Sequence, residues 1–293
     1  MLLTALTAAF AIIHAQQANN GLRVSPTNFN LNLTPGQATT NTITVDNMTD
    51  QTVDIQTLLR NFTAQGEEGG VNLTAQDTTF SLADWITVTP QSAVIAPGDS
   101  QAFTFTINPP LNAEPGGHFG SIVFATIPPP SAKGVGAALS EQIASLILAE
   151  IPGNVKEQAS VISFTTDKNF YEFGPVNFIA RVENTGSVHI QPSGEVEVTG
   201  MFGQHFDVPV ENLNILPDAV RQIPSVLNKH FLFGKYDAYF IGVYGTKNQQ
   251  LSASTQFYAF PLRYGLIILI VFLLLFLFRK RLGKALKTIL TGK

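Results

Sequence analysis

Apolar and polar residues alternate along several short stretches of this chain. The alternation is clearest at Ile43–Val45, Phe103–Ile107 and Val176–Val182, where every second residue is apolar. Such a pattern is typical of strands with one buried face and one solvated face. Because turn residues separate many short strands and few stretches have helical spacing, the pattern predicts an all-β fold of two tandem immunoglobulin-like β-sandwich domains.

Two similar turns precede strand-like stretches. Pro35-Gly36 stands before one stretch and Pro97-Gly98 before another. Proline presets φ at the first central position of a type II turn, and glycine supplies the positive φ of the second. Both pairs are therefore predicted to mark the starts of strands, without any role in a site.

The chain ends in a long apolar segment. Tyr264–Phe278 is an unbroken apolar run, and Arg279-Lys280-Arg281 follows at once. Fifteen residues span roughly 22 Å, which is short of the roughly 30 Å hydrocarbon core of a bilayer. Flanking arginines can extend the span by reaching to the interface. The segment predicts one C-terminal transmembrane α-helix, with a buried helix of a soluble protein as the alternative.

The charges on the two sides of this segment differ in sign. The last fifteen residues contain six Lys or Arg and no acid, while all 21 Asp and Glu stand before the segment. Flanks rich in Lys and Arg remain cytoplasmic. We expect a single-pass protein of the cell membrane, with extracellular N-terminal domains and a short basic cytoplasmic tail.

The other end resembles a secretory signal. Met1–Ala15 is apolar and ends on a small residue, although its first residues include no Lys or Arg. Pro152–Gln158 interrupts the strand pattern and predicts a domain boundary, since each part then has an ordinary domain size. The predicted segments are a signal peptide at 1–18, a sandwich at 19–154, a second sandwich at 155–262, a transmembrane helix at 263–280 and a basic tail at 281–293.

The stretch before this boundary fits two elements. Val135–Ile151 is rich in Ala and Leu, which favours a helix, but Ile143–Ile151 also alternates. We favour the last strand of the first domain, preceded by a Pro-rich loop at 128–136.

Motifs throughout the chain resemble those of the WxL-interacting proteins, a family of membrane-anchored surface proteins. They are VSPTNFNLNLTPGQ, ITVDNMTDQTVDIQ, FTFTINPP, PGGHFGSI and VNFIARVENTGSVHIQPSGEVEV. The resemblance implies two tandem sandwich domains, described in the family as peptidoglycan-binding and host-binding, followed by one transmembrane helix and a basic tail. The longer loop at 128–136 and the shorter apolar span depart from the family pattern.

Composition excludes several functions. The chain has no cysteine, so disulfides and thiolate chemistry are absent. The acidic exported part disfavours nucleic acid as a partner. No two of the five histidines have metal-ligand spacing, and no nucleophile elbow or phosphate loop occurs, so we expect no metal, no cofactor and no enzymatic activity. Glu67 and Glu68, beside a Gly-rich turn, are interpreted as solvated charges.

One stretch is a candidate binding site. Its residues are Gly116, Gly117, His118, Phe119 and Gly120. Paired glycines beside an aromatic residue allow the backbone to approach a ligand closely. The alternative is that the glycines only relieve crowding at a bulge.

The leading functional hypothesis is a non-catalytic surface protein that binds cell-wall peptidoglycan, another surface protein, or both. A second is a chaperone-like assembly factor for surface proteins or pili that acts by strand-edge pairing, because the first domain also resembles the pilus-chaperone sandwich. Residues 143–151 are its candidate donor edge. A third is an accessory subunit of a transport or secretion complex.

Overall fold

A computed structural model describes the backbone of residues 21–127 and 140–291, and the side chains up to Arg279. The predicted signal peptide and the Pro-rich loop lie outside the described residues. The first ten strands are β1 (Leu22–Ser25), β2 (Asn28–Asn32), β3 (Thr39–Asn47), β4 (Val53–Gln65), β5 (Gly70–Thr74), β6 (Ile86–Thr89), β7 (Ser92–Ile95), β8 (Ser100–Ile107), β9 (Gly116–Thr126) and β10 (Gln142–Ile151).

Eight further strands and one helix follow. They are β11 (Ala159–Thr166), β12 (Phe170–Tyr171), β13 (Val176–Asn184), β14 (Ser193–Gly200), β15 (His205–Pro209), β16 (Ala219–Leu227), β17 (Gly234–Tyr244), β18 (Gln249–Ala259) and α1 (Leu262–Thr291). The described chain is therefore mostly β-sheet, with one C-terminal apolar helix, as predicted.

The chain divides into two compact units. The first unit comprises Met1–Asn61, Ala75–Ala113 and Phe119–Ala149, and the second comprises Phe62–Thr74, Glu114–His118 and Glu150–Lys293. The end of β4 and all of β5, which are neighbours in one sheet, thus group with the second unit. The predicted domain bounds, contiguous in sequence, stay a prediction.

The first unit has two sheets. One has the order β1-β3-β8-β6, and in the other β10 lies between β2 and β9, β9 pairs with β4, and β7 also pairs with β4. The alternation predicted for β3 and β8 is confirmed, because Ile43, Val45, Phe103 and Phe105 are buried. The ring of Phe103 lies 4.9 Å from that of Phe124 in β9. Burying one such ring contributes roughly 2 to 3 kcal/mol, so apolar contacts of this kind stabilise the unit without disulfides.

The second unit also has two sheets. Their orders are β11-β13-β16 and β12-β18-β17-β14-β15. The inward residues of β13 pack against rings from β17 and β18, and Tyr236 and Phe257 stack at 5.0 Å between centroids. The two predicted turns are confirmed, since Gly36 and Gly98 have φ values of 75° and 76°.

A buried asparagine ends β3 in the first unit. The side-chain amide of Asn47 donates to the carbonyl oxygens of Gln51 at 2.7 Å and Ile95 at 3.0 Å. Its own oxygen accepts a hydrogen bond from the backbone N–H of Thr49. One side chain thus bonds backbone groups of residues 49 and 51 and of the end of β7.

The second unit repeats this device at the end of β13. The amide of Asn184 donates to the carbonyl oxygens of Val188 at 2.8 Å and Ile215 at 2.9 Å, and its oxygen accepts from the N–H of Gly186. Both asparagines are fully buried. The polar pair Asn184-Thr185 in the sequence therefore ends a strand and closes a turn.

The apolar C-terminal segment forms α1. Over Leu262–Arg279 the helix is long and apolar enough to cross a membrane, and none of this stretch is buried inside the protein. It begins two residues before the apolar run that predicted it.

Candidate functional site

The five predicted binding residues, Gly116 to Gly120, lie at the start of β9 and are buried. The N–H of Gly117 donates to the carbonyl oxygen of Ser187 at 2.8 Å, and a Cβ on Gly116 would lie 3.2 Å from the same oxygen. A Cβ on Gly120 would lie 3.1 Å from the Cβ of Leu82. The close approach that these glycines allow is therefore to atoms of the protein itself.

The two side chains of this stretch also have internal partners. Nε2 of His118 lies 3.0 Å from the carbonyl oxygen of Glu114. Phe119 donates its N–H to the carbonyl oxygen of Phe80, and the two rings lie 5.7 Å apart. A binding role for these residues stays a prediction.

The structure corrects the predicted donor edge, residues 143–151. These residues form β10, so the strand is confirmed and the helix is not, but β10 lies between β2 and β9 and is not an edge over its whole length. Three hydrogen bonds trace the preceding chain beside it. They join Leu22 N to Glu141 Oε1 at 3.0 Å, Ser145 Oγ to Pro26 O at 2.8 Å, and Leu146 N to Thr27 O at 2.9 Å.

In these three contacts the residue numbers of the two segments rise together, so residues 22–27 run parallel to β10. The five residues of β2, Asn28–Asn32, then lie beside the second half of β10. The residues beside the first half belong to β1, and β1 forms its ladder with β3 in the other sheet. The side chains of Glu141, just before β10, and of Ser145 form hydrogen bonds to this segment. We call Gln142–Ser145 the β10 edge.

The chemistry of the β10 edge suits an added strand. Ile143, Ala144 and Leu146 are half-buried and apolar. Since backbone N–H groups alternate in direction along a strand, the N–H of Ala144 points to the same side as that of Leu146, which bonds Thr27. The one charged residue of β10 is Glu150 at its far end, where burial and the nearby Glu157 raise the pKa of its carboxyl group.

A second sheet edge, the outer side of β16, is covered. The N–H of Gln222 in β16 donates to the carbonyl oxygen of Glu67 at 2.8 Å. The Glu67 carboxylate accepts from Nε of Arg181 at 2.7 Å, and this hydrogen bond lowers its pKa to about 2. Pro224, two residues after Gln222, faces the same outer side and has no backbone N–H. We call this stretch the β16 edge.

The contacts of Glu67 correct its interpretation as a solvated charge. Its carboxylate also accepts a hydrogen bond from the side chain of Gln222 at 3.3 Å. The partners lie 114 and 155 residues away in sequence, so no local pattern indicates them. Sequence reasoning missed this cluster for that reason.

The titratable groups in the described part of the chain include no candidate metal cluster, since no group of three or more His, Asp or Glu there is placed to hold a metal ion. Burial lowers the pKa of His189 to about 4, so its imidazole is neutral at physiological pH. His205 pairs with Asp207 at 2.9 Å on an exposed strand.

No family model and no curated protein matches the chain. Among solved structures, a chain from a chaperone–tip adhesin complex of CFA/I fimbriae is 12% identical, with a TM-score of 0.41 over 81% of this chain and 98% of that one. The class 5 fimbriae chaperone CfaA is 14% identical, with a TM-score of 0.39 over 81% and 99%. The Escherichia coli chaperone DraB is 16% identical, with a TM-score of 0.37 over 81% and 94%. The likeness concerns the immunoglobulin-like fold.

These comparisons correct the leading functional hypothesis. These three structures are described as chaperones or as part of a chaperone–adhesin complex, and the expectation of a surface protein that binds cell-wall glycan is contradicted. The resemblance to WxL-interacting proteins stays a prediction.

Proposed function

We propose that this chain is a membrane-anchored, non-catalytic assembly factor that holds an exported protein by accepting one of its strands at the β10 edge. The observation that carries the proposal is the change of partner in the preceding chain. Beside Gln142–Ser145 that segment pairs with β3, and from Thr27 onward it pairs with β10. The neighbouring strand β2 has five residues, so its ladder covers about half of the ten-residue strand β10.

An added strand would gain two kinds of contact there. Its backbone would pair with outward groups such as the N–H of Ala144, and each hydrogen bond contributes about 1 kcal/mol net. Its apolar side chains would cover Ile143 and Leu146, which are half-buried without it. Main-chain pairing gives affinity in this mode, while alternate side chains give specificity. An unassembled exported protein with an unpaired strand is the matching partner.

The anchor would keep this edge outside the cell. We propose that α1 spans the membrane with the two units outside and the basic end inside, because Lys and Arg are enriched on the cytoplasmic side. Protease added to intact cells should then degrade both units and spare a short C-terminal fragment. Recovery of an undegraded chain from cells that remain intact would contradict this orientation.

Site-specific crosslinking in cells tests the strand-accepting edge. A photoreactive benzoyl-phenylalanine is placed at Ala144, and a matched one at Val94, an apolar residue on β7 that is 68% exposed. We expect a discrete adduct with an exported protein from position 144 only, which mass spectrometry identifies.

Equal adducts from both positions would indicate non-specific contact and contradict the proposal. Absence of any adduct from position 144, in cells where the chain is anchored and folded, would also contradict it. Equal resistance of the two labelled chains to limited proteolysis shows that folding is preserved in both.

A further inference from the structure

Aromatic side chains are exposed at the end of the second unit where α1 begins. Phe202 stacks on Phe233 with centroids 5.9 Å apart, Phe233 meets Phe260 edge-on at 5.1 Å, and Phe170 stacks on Phe260 at 6.4 Å. Phe202 is 61% exposed, and Phe231, which precedes Phe233 by two residues in the sequence, is 66% exposed. We call these five residues the aromatic end. Rings that contact one another and still face solvent form a continuous apolar surface.

The start of α1 is fastened to this surface. Arg263 donates its backbone N–H to the Glu172 carboxylate at 3.0 Å, and its Nε lies 3.2 Å from the same group. The ring of Tyr264 meets that of Phe173 edge-on at 5.8 Å. The charge of Arg263 is therefore balanced beside the first turn of the helix, and the aromatic end stays next to that turn.

The loop that carries Phe202 is also held in place. Met201 donates its N–H to the carbonyl oxygen of Lys235 at 2.9 Å. Gly234 has a φ of 108°, and a Cβ there would lie 2.8 Å from the sulfur of Met201. A φ in this range favours glycine, so Gly234 supports the backbone path beside Lys235, to which the Phe202 loop is bonded.

The length of the helix indicates what covers the aromatic end. The 18 residues of Leu262–Arg279 span about 27 Å, slightly less than the roughly 30 Å hydrocarbon core. Phe260 precedes Leu262 by two residues, which is at most about 7 Å of chain. A short span draws its flanking residues toward the bilayer, and aromatic rings are stable at the boundary between headgroups and acyl chains.

We propose that the aromatic end docks on the lipid bilayer that α1 enters, with the rings of Phe202 and Phe231 inserted at the headgroup boundary. The inference rests on the proposed anchoring by α1. Apolar faces that bind membranes in this way lie about 5 to 10 Å deep, which matches the reach of Phe260 from the helix start. The second unit is thereby held against the membrane at this end rather than tethered freely.

Single-cysteine labelling of the full chain in vesicles tests the docking. The chain contains no cysteine, so each label site is unique. The dye NBD is attached at Phe202→Cys or Phe231→Cys, and in a control at Ile241→Cys. Ile241 is 42% exposed on β17, seven residues or about 23 Å along the strand from Gly234. The vesicles contain phosphatidylcholine with a minority of phosphatidylglycerol, and some carry a lipid-attached nitroxide quencher.

We expect blue-shifted emission and severalfold stronger nitroxide quenching at positions 202 and 231 than at 241. Resistance of the chain to alkaline extraction reports the anchoring independently. Equal quenching at all three positions in a chain that resists extraction would overturn the docking alone, whereas a chain released by alkali would overturn the anchoring as well.

Other occupants of the aromatic end give distinct results. A blue shift that rises with the ratio of protein to lipid, without quenching, would indicate a second copy of the chain. A shift that needs added envelope proteins would indicate a protein partner. Either result would overturn docking on lipid.

Discussion

The β10 edge and the β16 edge are both outer sides of strands, but they differ in the residues that protect their backbone groups from pairing. At the β16 edge, Gln222 is capped by Glu67, and Pro224 removes the next outward N–H. At the β10 edge, Gln142–Ser145 contains neither proline nor charge, and side chains rather than a ladder link it to the chain alongside. Unprotected edges invite pairing with other chains, and proteins usually blunt them with proline or charge. The β10 edge lacks both devices, which is consistent with the strand pairing proposed for it.

Transfer of proline to the β10 edge should give the largest effect. Ala144→Pro removes the outward N–H, and edge positions tolerate proline when its missing N–H faced outward. We expect the yield of the bound exported protein, here called the client, to fall about tenfold or more on co-purification. The lost hydrogen bond and the accompanying steric clash together cost about 1 to 2 kcal/mol. Quantitative mass spectrometry of the purified complex measures this.

Ala144→Ser is the matched control, because it keeps the N–H and adds little volume. Its client yield should equal that of the wild type. If Ala144→Pro retains full client yield while its melting temperature is unchanged, strand addition at Ala144 is not the mode of binding.

Removal of protection from the β16 edge should have an intermediate effect. Glu67→Lys places a cation beside Arg181, and Pro224→Val restores an outward N–H. We expect the double variant to self-associate, because the outer side of a nine-residue strand becomes available. Light scattering after gel filtration in detergent should show a mass that rises with protein concentration.

The control for charge is Glu68→Lys, at an exposed neighbouring position. It changes the net charge equally and should remain at the wild-type mass. Self-association of the control to the same degree would assign the effect to charge and not to the edge.

The smallest of the three effects is expected from acid, which should reduce the contribution of Glu67 to the stability of the β16 edge. The pKa of Glu67 is about 2 in the folded chain and about 4.5 ordinarily, so the unfolded state binds the proton first. Its stabilising contribution is complete above pH 4.5 and is lost as the pH falls toward 2. The protection factor of the Gln222 amide, from hydrogen exchange, should decrease between pH 5 and pH 3.

In Glu67→Gln this decrease should be absent, because the amide does not titrate. A decrease of equal size in the variant would show that other carboxylates control the edge. The backbone oxygen that Gln222 bonds is present in both proteins, which isolates the contribution of the side chain.

Local patterns predicted the strands well. Alternation at Phe103–Ile107 and Val176–Val182 identified β8 and β13, since one buried face imposes a period of two residues. The apolar run at Tyr264–Phe278 identified α1 to within two residues of its start. These features depend on neighbours in sequence, so a single chain is sufficient to show them.

Features that depend on distant partners were not predictable in this way. Alternation identified β10 but could not show that the chain beside it changes partner after β1. Glu67 looked like a surface charge because Arg181 is 114 residues away. The rings of Phe202 and Phe233 come from separate loops, which the paired strands β14 and β17 bring together.

The buried amide of Asn47 has a consequence for how the protein can be produced. Asn47-Met48-Thr49 is a sequon for N-linked glycosylation, yet the amide nitrogen that would carry the sugar is bonded to the carbonyl oxygens of Gln51 and Ile95. A glycan added as the chain enters a eukaryotic secretory pathway would occupy that nitrogen before the loops close around it. Glycosylation at this residue and folding of the first unit therefore exclude each other, which makes a host without this modification the suitable source.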